Sequence, residues 1–429
     1  MRNSNRSFSR SNSRSGGSNF RSRNSGGGRS FSSRGGSSFG NRNRGGGNRG
    51  RGGRGGFNQA TFDPSRMIIQ AGLNKPEIIE KEEYQATHQF NDFDISDHLK
   101  ENIASRGYET PTPIQDQIIP HIIEGRDVVG IANTGTGKTA AFLIPLLDKV
   151  INNSNEKVLI IAPTRELALQ VKDELRSFSE GMRVFSTLVI GGSSIGRQID
   201  SLRRGQHFVI GTPGRIKDLN QRGKLKFHEF TNIVLDEVDR MLDMGFVHEI
   251  REIIDALPRD RQSLFFSATM TDRVRQIMRG FLVDPISISV KTGDTSANVQ
   301  QEIVKIKGRS KIDVLHDLLR TENFDKVLVF GRTKRGAERI TKELLDRGLK
   351  VNAIHGNKSQ GQRQRALKQF RNDQVQALIA TDVIARGLDI DDVTHVINYD
   401  LPESREDYIH RIGRTGRADK VGTALTFVE

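Results

Sequence analysis

The chain has 429 residues, a formal net charge of +14 and no cysteine. This length predicts two or three domains rather than one, and the absence of cysteine excludes disulfides and thiolate metal sites. No segment approaches the roughly 18 consecutive apolar residues that span a bilayer, and no apolar stretch follows the first charges as in a secretory signal. We therefore expect an unexported, cytoplasmic chain that stays outside the membrane.

Nearly all of the excess positive charge lies in residues 1–60. This arm contains 13 Arg and no Lys, Asp or Glu, while the remainder of the chain carries 53 basic against 52 acidic side chains. With 16 Gly, 14 Ser and 9 Asn, too little of the arm is apolar to offset the entropy lost on ordering, so we expect disorder. Arginines interspersed with phenylalanines favour contact with nucleic-acid phosphates and bases. A tail that only keeps the chain in solution is the alternative.

Residues 61–84 form a more acidic connector, after which apolar runs alternate with helical periodicity. The runs predict strands at 127–132, 157–162, 187–190, 208–210, 233–235, 264–266, 327–330, 351–354, 377–380, 396–399 and 424–428. Within residues 164–178, apolar side chains recur at spacings of four and three, which predicts one buried helical stripe. Alternating strands and helices predict parallel sheets covered on both faces. We expect two α/β domains, at 85–290 and 299–429, joined by a polar hinge at 291–298.

A glycine-rich turn follows the first predicted strand. Residues 132–139 read ANTGTGKT and match the phosphate-binding pattern GxxxxGK[ST] except at the first position, where Ala132 replaces glycine. Such a turn between strand and helix suits phosphate, because backbone N–H groups and the helix dipole point inward. We expect Lys138 to reach the β- and γ-phosphates of a nucleotide and Thr139 to bind Mg²⁺. The other members of the turn are Thr134, Gly135, Thr136 and Gly137. A chance glycine-rich turn is the alternative.

Two acidic residues lie directly after the predicted strand at 233–235. Asp236 and Glu237 would lie beside the edge at which parallel sheets bind ligands. Asp236 is suited to anchor Mg²⁺, and Glu237 is suited to orient and deprotonate an attacking water. In isolation, the pair fits surface acids at the start of a helix equally well. The glycine-rich turn upstream favours a nucleotide site.

In combination, these residues resemble one family, the DEAD-box ATP-dependent RNA helicases of helicase superfamily 2. The resemblance covers about residues 90–429 and rests on many motifs in the order typical of the family. It implies an α/β fold with two tandem RecA-like domains, the first binding ATP and the second being the helicase C-terminal domain. It also implies ATP and Mg²⁺ as cofactors, and RNA, as a single strand or a short duplex, as the partner.

Residues 236–239 read DEVD, with Val238 at the position where the family has alanine. Both catalytic carboxylates are present, so we expect the chemistry to be retained. The two extra methyl groups would cost about 1–3 kcal/mol if the site had no matching space. We expect compensation elsewhere, with altered coupling between Asp239 and the downstream SAT sequence at 267–269 as its consequence.

The resemblance implies further nucleotide contacts. GYETPTPIQ at residues 107–115 resembles the Q motif of the family, with Phe90 at the upstream aromatic position. This implies that Gln115 recognises the edge of adenine and that Phe90 stacks on its ring. In the predicted second domain, ATDVIARGLDI at 380–390 implies that Asp389 contacts the ribose of ATP.

HRIGRTGR at residues 410–417 holds four basic side chains in eight residues. Such side chains are costly to pack together unless anions face them. By itself, the sequence would fit a basic loop for any polyanion. The resemblance implies that Arg414 and Arg417 contact the γ-phosphate from the second domain as arginine fingers. The implied catalytic set is completed by Lys138, Asp236 and Glu237.

Other motifs resemble those that hold RNA and couple it to ATP. PTRELA at 163–168, the glycines at 191–192 and TPGR at 212–215 are similar to first-domain motifs along the RNA backbone. Arginines can pair with phosphates, and small residues let a sugar-phosphate chain approach closely. The implied RNA contacts are Arg165, Gly192, Thr212 and Arg215, with Thr381 and Arg386 as candidates for RNA and interdomain contact. The implied coupling residues are Asp239, Ser267 and Thr269, for which ordinary turn residues are the alternative.

The resemblance implies a monomeric RNA helicase that couples ATP binding and hydrolysis to domain closure on RNA. Closure would unwind short duplexes locally or remodel ribonucleoproteins, among which ribosomal and degradation complexes are candidate partners. Two alternatives remain open. One is a non-catalytic ATP-dependent RNA clamp, against which Glu237 argues; the other is a DNA-directed helicase or remodelling ATPase of the same superfamily, against which the Q motif argues.

Overall fold

The computed structural model describes residues 64–65, 67–69, 84–133, 135–290, 298–385, 390, 392–416 and 420–429. The predicted arm at 1–60, most of the connector and residues 291–297 of the predicted hinge lie outside the described residues. Within this described part of the chain, no helix is both long and apolar enough to cross a membrane.

The first of two parallel sheets lies within residues 128–289. Its strands are β1 (Val128–Ile131), β2 (Val158–Ile161), β3 (Ser186–Val189), β4 (Phe208–Gly211), β5 (Asn232–Leu235), β6 (Gln262–Ser267) and β7 (Ile286–Ser289). They pair in the order β3-β4-β2-β5-β6-β1-β7, and all pairs are parallel. The helices that accompany them are α1 (Asp97–Ser105), α2 (Pro113–Ile123), α3 (Lys138–Asn152), α4 (Arg165–Phe178), α5 (Ile195–Arg203), α6 (Pro213–Gln221), α7 (Val238–Asp243), α8 (Val247–Ala256) and α9 (Asp272–Phe281).

Helices cover both faces of this sheet. On β2, Val158 and Ile160 belong to the apolar cluster on one face, and Leu159 and Ile161 belong to the cluster on the other. Successive side chains of a strand point to opposite faces, so a strand buried on both sides is apolar at every position. This explains why the run at residues 157–162 is continuous rather than alternating.

The second sheet lies within residues 299–428. Its strands are β8 (Val299–Lys305), β9 (Val327–Phe330), β10 (Val351–Ile354), β11 (Ala377–Ala380), β12 (His395–Asn398) and β13 (Gly422–Val428). They pair in parallel in the order β10-β11-β9-β12-β13-β8. The accompanying helices are α10 (Lys311–Leu319), α11 (Lys334–Asp346), α12 (Gln360–Arg371), α13 (Asp382–Ala385) and α14 (Arg405–Ile412).

The predicted fold class, two α/β domains with parallel sheets, is confirmed. Each apolar run named above forms a strand, and the stripe within residues 164–178 forms the buried face of α4. The sequence reasoning missed β7 and β8. Both are edge strands with several exposed positions, so neither has the continuous apolar run of an interior strand.

The strand order brings the predicted motifs to one edge of the first sheet. The glycine-rich turn follows β1, DEVD follows β5 and SAT follows β6, and these three strands are neighbours. The predicted RNA motifs follow β2, β3 and β4, which are neighbours in the other half of the sheet. Because all strands are parallel, both groups of loops lie at the carboxyl edge where such sheets bind ligands.

Candidate nucleotide and nucleic-acid site

The glycine-rich turn runs from the end of β1 into α3. Gly135 and Gly137 have φ angles of +83° and +90°, in the left-handed region that favours glycine. Lys138 begins α3 and is 6% exposed. Its Nζ donates to the Ala132 carbonyl oxygen at 2.7 Å, so the ammonium group folds back over the turn. The turn therefore has the backbone form and the lysine that a phosphate-binding loop requires.

The Q motif is hydrogen-bonded to this turn. At the start of α2, Gln115 Oε1 accepts from the Thr112 N–H at 2.9 Å, and Gln115 Nε2 donates to the Gly137 carbonyl oxygen at 3.1 Å. Thr112 Oγ1 donates to the carbonyl oxygen of Thr136 at 2.8 Å. A Cβ at position 137 would lie 2.4 Å from Gln115 Nε2, which is a second reason for glycine there. Recognition of adenine by Gln115 stays a prediction.

Phe90 lies in the apolar core of the first domain. It is 4% exposed, and its ring contacts those of Phe93 and Tyr108 edge-on, with centroids 6.0 Å apart in both cases. Its stacking on adenine likewise stays a prediction, since the structure shows the ring packed against other aromatic side chains.

Asp236 is a buried carboxylate after β5. It is 2% exposed, and within the described residues no hydrogen-bond donor reaches its Oδ1. Burial raises the pKa of Asp236 to about 7; the Glu237 carboxylate adds to this effect and the Lys138 ammonium opposes it. A buried carboxylate oxygen without a partner is costly and is the type of ligand that Mg²⁺ prefers. This oxygen therefore fits the role of a Mg²⁺ ligand, and binding of Mg²⁺ by Asp236 and Thr139 stays a prediction.

Glu237 adopts a backbone conformation that is uncommon for a residue with a side chain. Its φ is +50° at the N-terminus of α7, and such conformations concentrate at functional sites. Its Oε2 accepts from Arg240 Nη1 in a buried ion pair. Burial disfavours the charged form, but Arg240, Lys138 and Arg414 together outweigh it and lower the pKa of Glu237. The carboxylate is therefore charged at neutral pH.

Arg414 of the second domain acts on this carboxylate through its charge. It follows α14, is 5% exposed and donates from Nε to the His410 carbonyl oxygen at 3.2 Å. Its charge contributes to the lowered pKa of Glu237. The structure thus brings together Lys138 and Glu237 of the first domain and Arg414 of the second.

Arg411, one turn before Arg414, has a different role from the one expected for this basic sequence. It is 2% exposed and donates from Nε and Nη2 to the Asp382 carboxylate at 2.6 and 2.7 Å. Its Nη1 donates to the Asp400 carbonyl oxygen at 2.7 Å, and its guanidinium lies 5.0 Å from the centre of the Phe330 ring. The anion that faces Arg411 is thus the Asp382 carboxylate of the protein itself. Arg411 therefore holds α13 against α14.

The predicted coupling residues form one hydrogen-bonded cluster. Asp239 Oδ2 accepts from the Thr269 N–H at 2.8 Å, from Thr269 Oγ1 at 3.0 Å and from the Ala268 N–H at 3.1 Å. Ser267 Oγ donates to the Thr269 carbonyl oxygen at 2.8 Å. Val238 is fully buried in the apolar cluster on one face of the sheet, and these contacts of Asp239 are made in its presence.

The predicted first-domain RNA contacts also lie together. The guanidinium of Arg165 packs so closely on Gly192 that a Cβ there would lie 2.1 Å from Arg165 Nη1. Arg215 Nη1 donates to Gln198 Oε1 at 3.0 Å. The Thr212 N–H, after β4, donates to the carbonyl oxygen that ends β3, at 3.2 Å. The loops after β2, β3 and β4 therefore form one surface carrying two arginines.

An interdomain ion pair was missed by the sequence reasoning. Glu166 lies in α4 of the first domain and Arg363 in α12 of the second, and Arg363 Nη2 donates to Glu166 Oε2 at 2.6 Å. Gln360 Nε2 donates to Glu166 Oε1 at 3.3 Å. Residues so far apart in the chain carry no shared pattern, although Glu166 lies inside the PTRELA sequence.

A basic cavity in the second domain was also missed. Its volume is about 340 Å³, and its lining residues are Lys334, Arg335, Glu338, His355, Asn357, Lys358 and Gln362. Burial favours the neutral form of Glu338, but hydrogen bonds from Lys358 at 2.9 Å and from His355 at 2.7 Å outweigh it and lower the pKa of that carboxyl. The cavity lies beyond the carboxyl ends of β9 and β10, and Thr381 follows their neighbour β11. Thr381 itself is 7% exposed.

Comparison with known proteins identifies the chain. Residues 112–277 match the family described as DEAD/DEAH box helicase, and residues 310–419 match the helicase conserved C-terminal domain. A DEAD-box ATP-dependent RNA helicase CshA from Bacillus licheniformis is 44% identical over 344 residues, which are 80% of this chain and 71% of that protein. The chain belongs to the DEAD-box helicase family.

Three further comparisons concern length and structure. The CshA protein from Bacillus cereus is 45% identical over 79% of this DEAD-box helicase. The match covers 65% of the Bacillus cereus protein, which is less than two thirds of its length. A structure of Saccharomyces cerevisiae Dbp5 bound to RNA and ADP BeF3 has a TM-score of 0.70 and 30% identity, and covers 79% of this chain and 89% of Dbp5. Mss116p bound to ssRNA and AMP-PNP has a TM-score of 0.70 and 27% identity over 78% of this chain and 72% of Mss116p.

Four predicted site residues of this DEAD-box helicase lie outside the described residues. They are Thr134, Arg386, Asp389 and Arg417. Their roles therefore stay predictions. Of the described site residues, those predicted for phosphate, Mg²⁺ and proton transfer lie after β1 and β5, except for Arg414, which follows α14. Those predicted for RNA lie after β2, β3, β4 and β11.

Proposed function

We propose that this DEAD-box helicase hydrolyses ATP between its two α/β domains and uses domain closure to grip RNA and open short duplexes. The observation that carries the proposal is the composite site. Arg414 of the second domain lies close enough to Glu237 of the first domain to lower its pKa. Neither domain alone would supply the phosphate-binding turn, the base and the arginine.

The proposed chemistry assigns one task to each side chain. The turn at Gly135 and Gly137 and the Lys138 ammonium bind the β- and γ-phosphates. Glu237, charged at neutral pH, orients the attacking water and accepts its proton. Arg414 stabilises the charge that develops on the transferred phosphoryl group. Mg²⁺, held by Thr139 and Asp236, would neutralise phosphate charge when bound.

The proposed RNA grip uses loops from both domains. In the first domain, Arg165 and Arg215 contact phosphates, while Gly192 and Thr212 let the backbone approach. In the second domain, Thr381 and the basic cavity beside it continue the surface. Such a grip contacts phosphates and 2′-hydroxyls rather than bases, so it would bind a single strand irrespective of sequence and bend it away from its partner.

Two contacts support coupling between nucleotide and RNA. The Asp239 cluster connects the loop that carries Glu237 to the loop after β6. The ion pair between Glu166 and Arg363 joins the domains immediately after Arg165, a proposed RNA contact. Closure therefore assembles the catalytic site and orders the RNA surface in the same movement. We further propose that the protein acts in the cytoplasm as a monomer on duplexes and ribonucleoproteins.

A strand-separation assay tests this proposal. The protein is mixed with a short RNA duplex that carries a single-stranded overhang, with and without ATP, and release of the labelled strand is followed. We expect the parent to release the labelled strand when ATP is present. We expect Glu237→Gln to turn over ATP slowly and therefore to release the strand slowly. A non-catalytic RNA clamp would bind the substrate with ATP, but the parent and the variant would release strands equally. A DNA-directed enzyme would separate a DNA duplex of the same sequence in preference to RNA.

A further inference from the structure

A short segment upstream of the first domain packs into the core of the second domain. Within residues 64–69, Ile68 is 3% exposed and Met67 is partly buried, whereas Ile69 is 57% exposed. The Ile68 N–H donates to the Pro64 carbonyl oxygen at 2.9 Å, which closes a helical turn. The segment therefore has one apolar side that is covered and one that is not.

The covering surface belongs to the second domain. The other members of the apolar cluster that contains Ile68 all lie between residues 299 and 424, and they include Ile384 of α13 and Tyr408 and Ile412 of α14. These two helices are joined by the pair between Arg411 and Asp382, and Arg414 follows α14. The N-terminal segment thus completes the core beneath the second-domain half of the proposed active site.

The chain is anchored on the first domain 15 residues later, from Tyr84 onward. Asp116 of α2 accepts from Tyr84 Oη at 2.5 Å, from the Thr87 N–H at 2.8 Å and from the His88 N–H at 3.1 Å. Asp116 is buried and adjoins Gln115, whose amide bonds the phosphate-binding turn. Residues 84–88 are therefore fixed on the ATP-binding domain.

From these two anchors we infer that residues 64–69 are a clasp, an intramolecular docking segment that links the N-terminal part of the chain to the second domain. Docking covers the apolar side of the clasp and packs Ile68 into the cluster that contains side chains of α13 and α14. Arg414 follows α14, so the clasp supports the second-domain part of the catalytic site. This effect on catalysis rests on the proposed function.

Hydrogen exchange of the full chain, without ATP or RNA, tests the docking directly. Ile68→Asp places a charge in the apolar cluster, and its matched control, Ile69→Asp, places the same charge on the exposed neighbour. Because burial of one isoleucine shifts a docking equilibrium by about ten- to a hundredfold, we expect exchange in residues 64–69 to accelerate by about that factor in Ile68→Asp only. Peptides from α13 and α14 should also exchange faster, and peptides from α1 and α2 should not. Ile68→Ala should give a smaller acceleration in the same peptides if the aspartate variant fails to fold.

Equal exchange in the parent and both Ile68 variants would overturn the clasp, as would faster exchange in the first domain instead of the second. RNA-stimulated phosphate release by the same variants then measures the effect on the catalytic site. We expect Ile68→Asp, but not Ile69→Asp, to lower the maximal rate. A parent that releases no phosphate would refute the proposed function and leave the exchange result standing. An active parent whose maximal rate is unchanged in both variants would refute the link from the clasp to the catalytic site.

Discussion

Arg363 of α12 donates from Nη2 to Oε2 of Glu166 in α4 at 2.6 Å, with both side chains buried between the two domains. Because loss of one partner would leave the other as an uncompensated buried charge, this contact between the domains depends on both residues. The pair lies directly after Arg165, and we propose that it connects domain closure with the proposed RNA surface.

Glu166→Gln removes the counter-charge of this pair. Leaving a buried guanidinium unpaired costs about 3–5 kcal/mol, a cost that the domains avoid by separating. We therefore expect RNA-stimulated hydrolysis to fall by about tenfold or more, while the free energy of unfolding changes little. Phosphate release and urea unfolding measure the two effects. Asp255→Asn, on the exposed side of α8, is the control and should match the parent. A Glu166→Gln variant as active as this control would show that the pair has no role in closure.

Glu237→Gln should separate binding from turnover. The amide retains the size of the side chain but cannot accept a proton, so ATP and RNA should bind nearly as before while turnover falls by about 10²-fold or more. Equilibrium binding of a nucleotide analogue and phosphate release measure these quantities. Asp255→Asn, on the exposed side of α8, is the control. Near-normal phosphate release from Glu237→Gln would remove Glu237 from the role of base.

Lys138→Ala should act on nucleotide binding itself. The ammonium group lies over the turn that would hold the phosphates, and its loss removes a charge from a buried site. We expect weaker ATP binding in titration calorimetry, in contrast to Glu237→Gln. Replacement of the exposed Lys224 by alanine is the control. Unchanged affinity in Lys138→Ala would contradict the phosphate-binding assignment.

Deletion of residues 2–60 tests the arm. If its 13 arginines contact RNA, the deletion should lower RNA affinity irrespective of sequence and flatten its dependence on salt. Each phosphate neutralised on a single strand contributes about −0.7 to the slope of log K against log salt, so six engaged arginines would change that slope by about four units. Hydrolysis per bound complex should change little. Equal affinities and slopes with and without the arm would support the alternative of a tail that only keeps the chain in solution.

Much of the fold could be predicted because interior strands carry their own signal. Continuous apolar runs such as the one in β2 mark strands buried on both faces. The edge strand β8 was missed because only Val299 of its residues is fully buried, so its sequence alternates weakly. A local sequence pattern clearly indicates a strand that is buried on both faces of a sheet. It indicates only weakly a strand that pairs at the edge of a sheet.

The candidate site could be predicted where one short sequence contains the functional residues, as in the glycine-rich turn and DEVD. Contacts between distant segments could not be predicted from the sequence. In the sequence, Arg411 is not distinguished from the other basic residues of HRIGRTGR. Only the fold shows that Asp382 neutralises its charge. Arg363 and Glu166 are likewise ordinary residues near the starts of two helices, and their pairing depends on how two domains meet.

We propose that RNA switches on ATP hydrolysis in a site shared by both domains, and phosphate release by Arg414→Ala tests this proposal most directly. Release is measured for the parent and the variant without nucleic acid, with single-stranded RNA and with DNA of the same sequence, alongside ATP binding by each protein. We expect RNA, and not DNA, to stimulate phosphate release by the parent. In Arg414→Ala, the stimulated release should fall by about 10³-fold or more while ATP still binds. Full RNA-stimulated release by Arg414→Ala, or equal stimulation of the parent by DNA, would contradict this proposal.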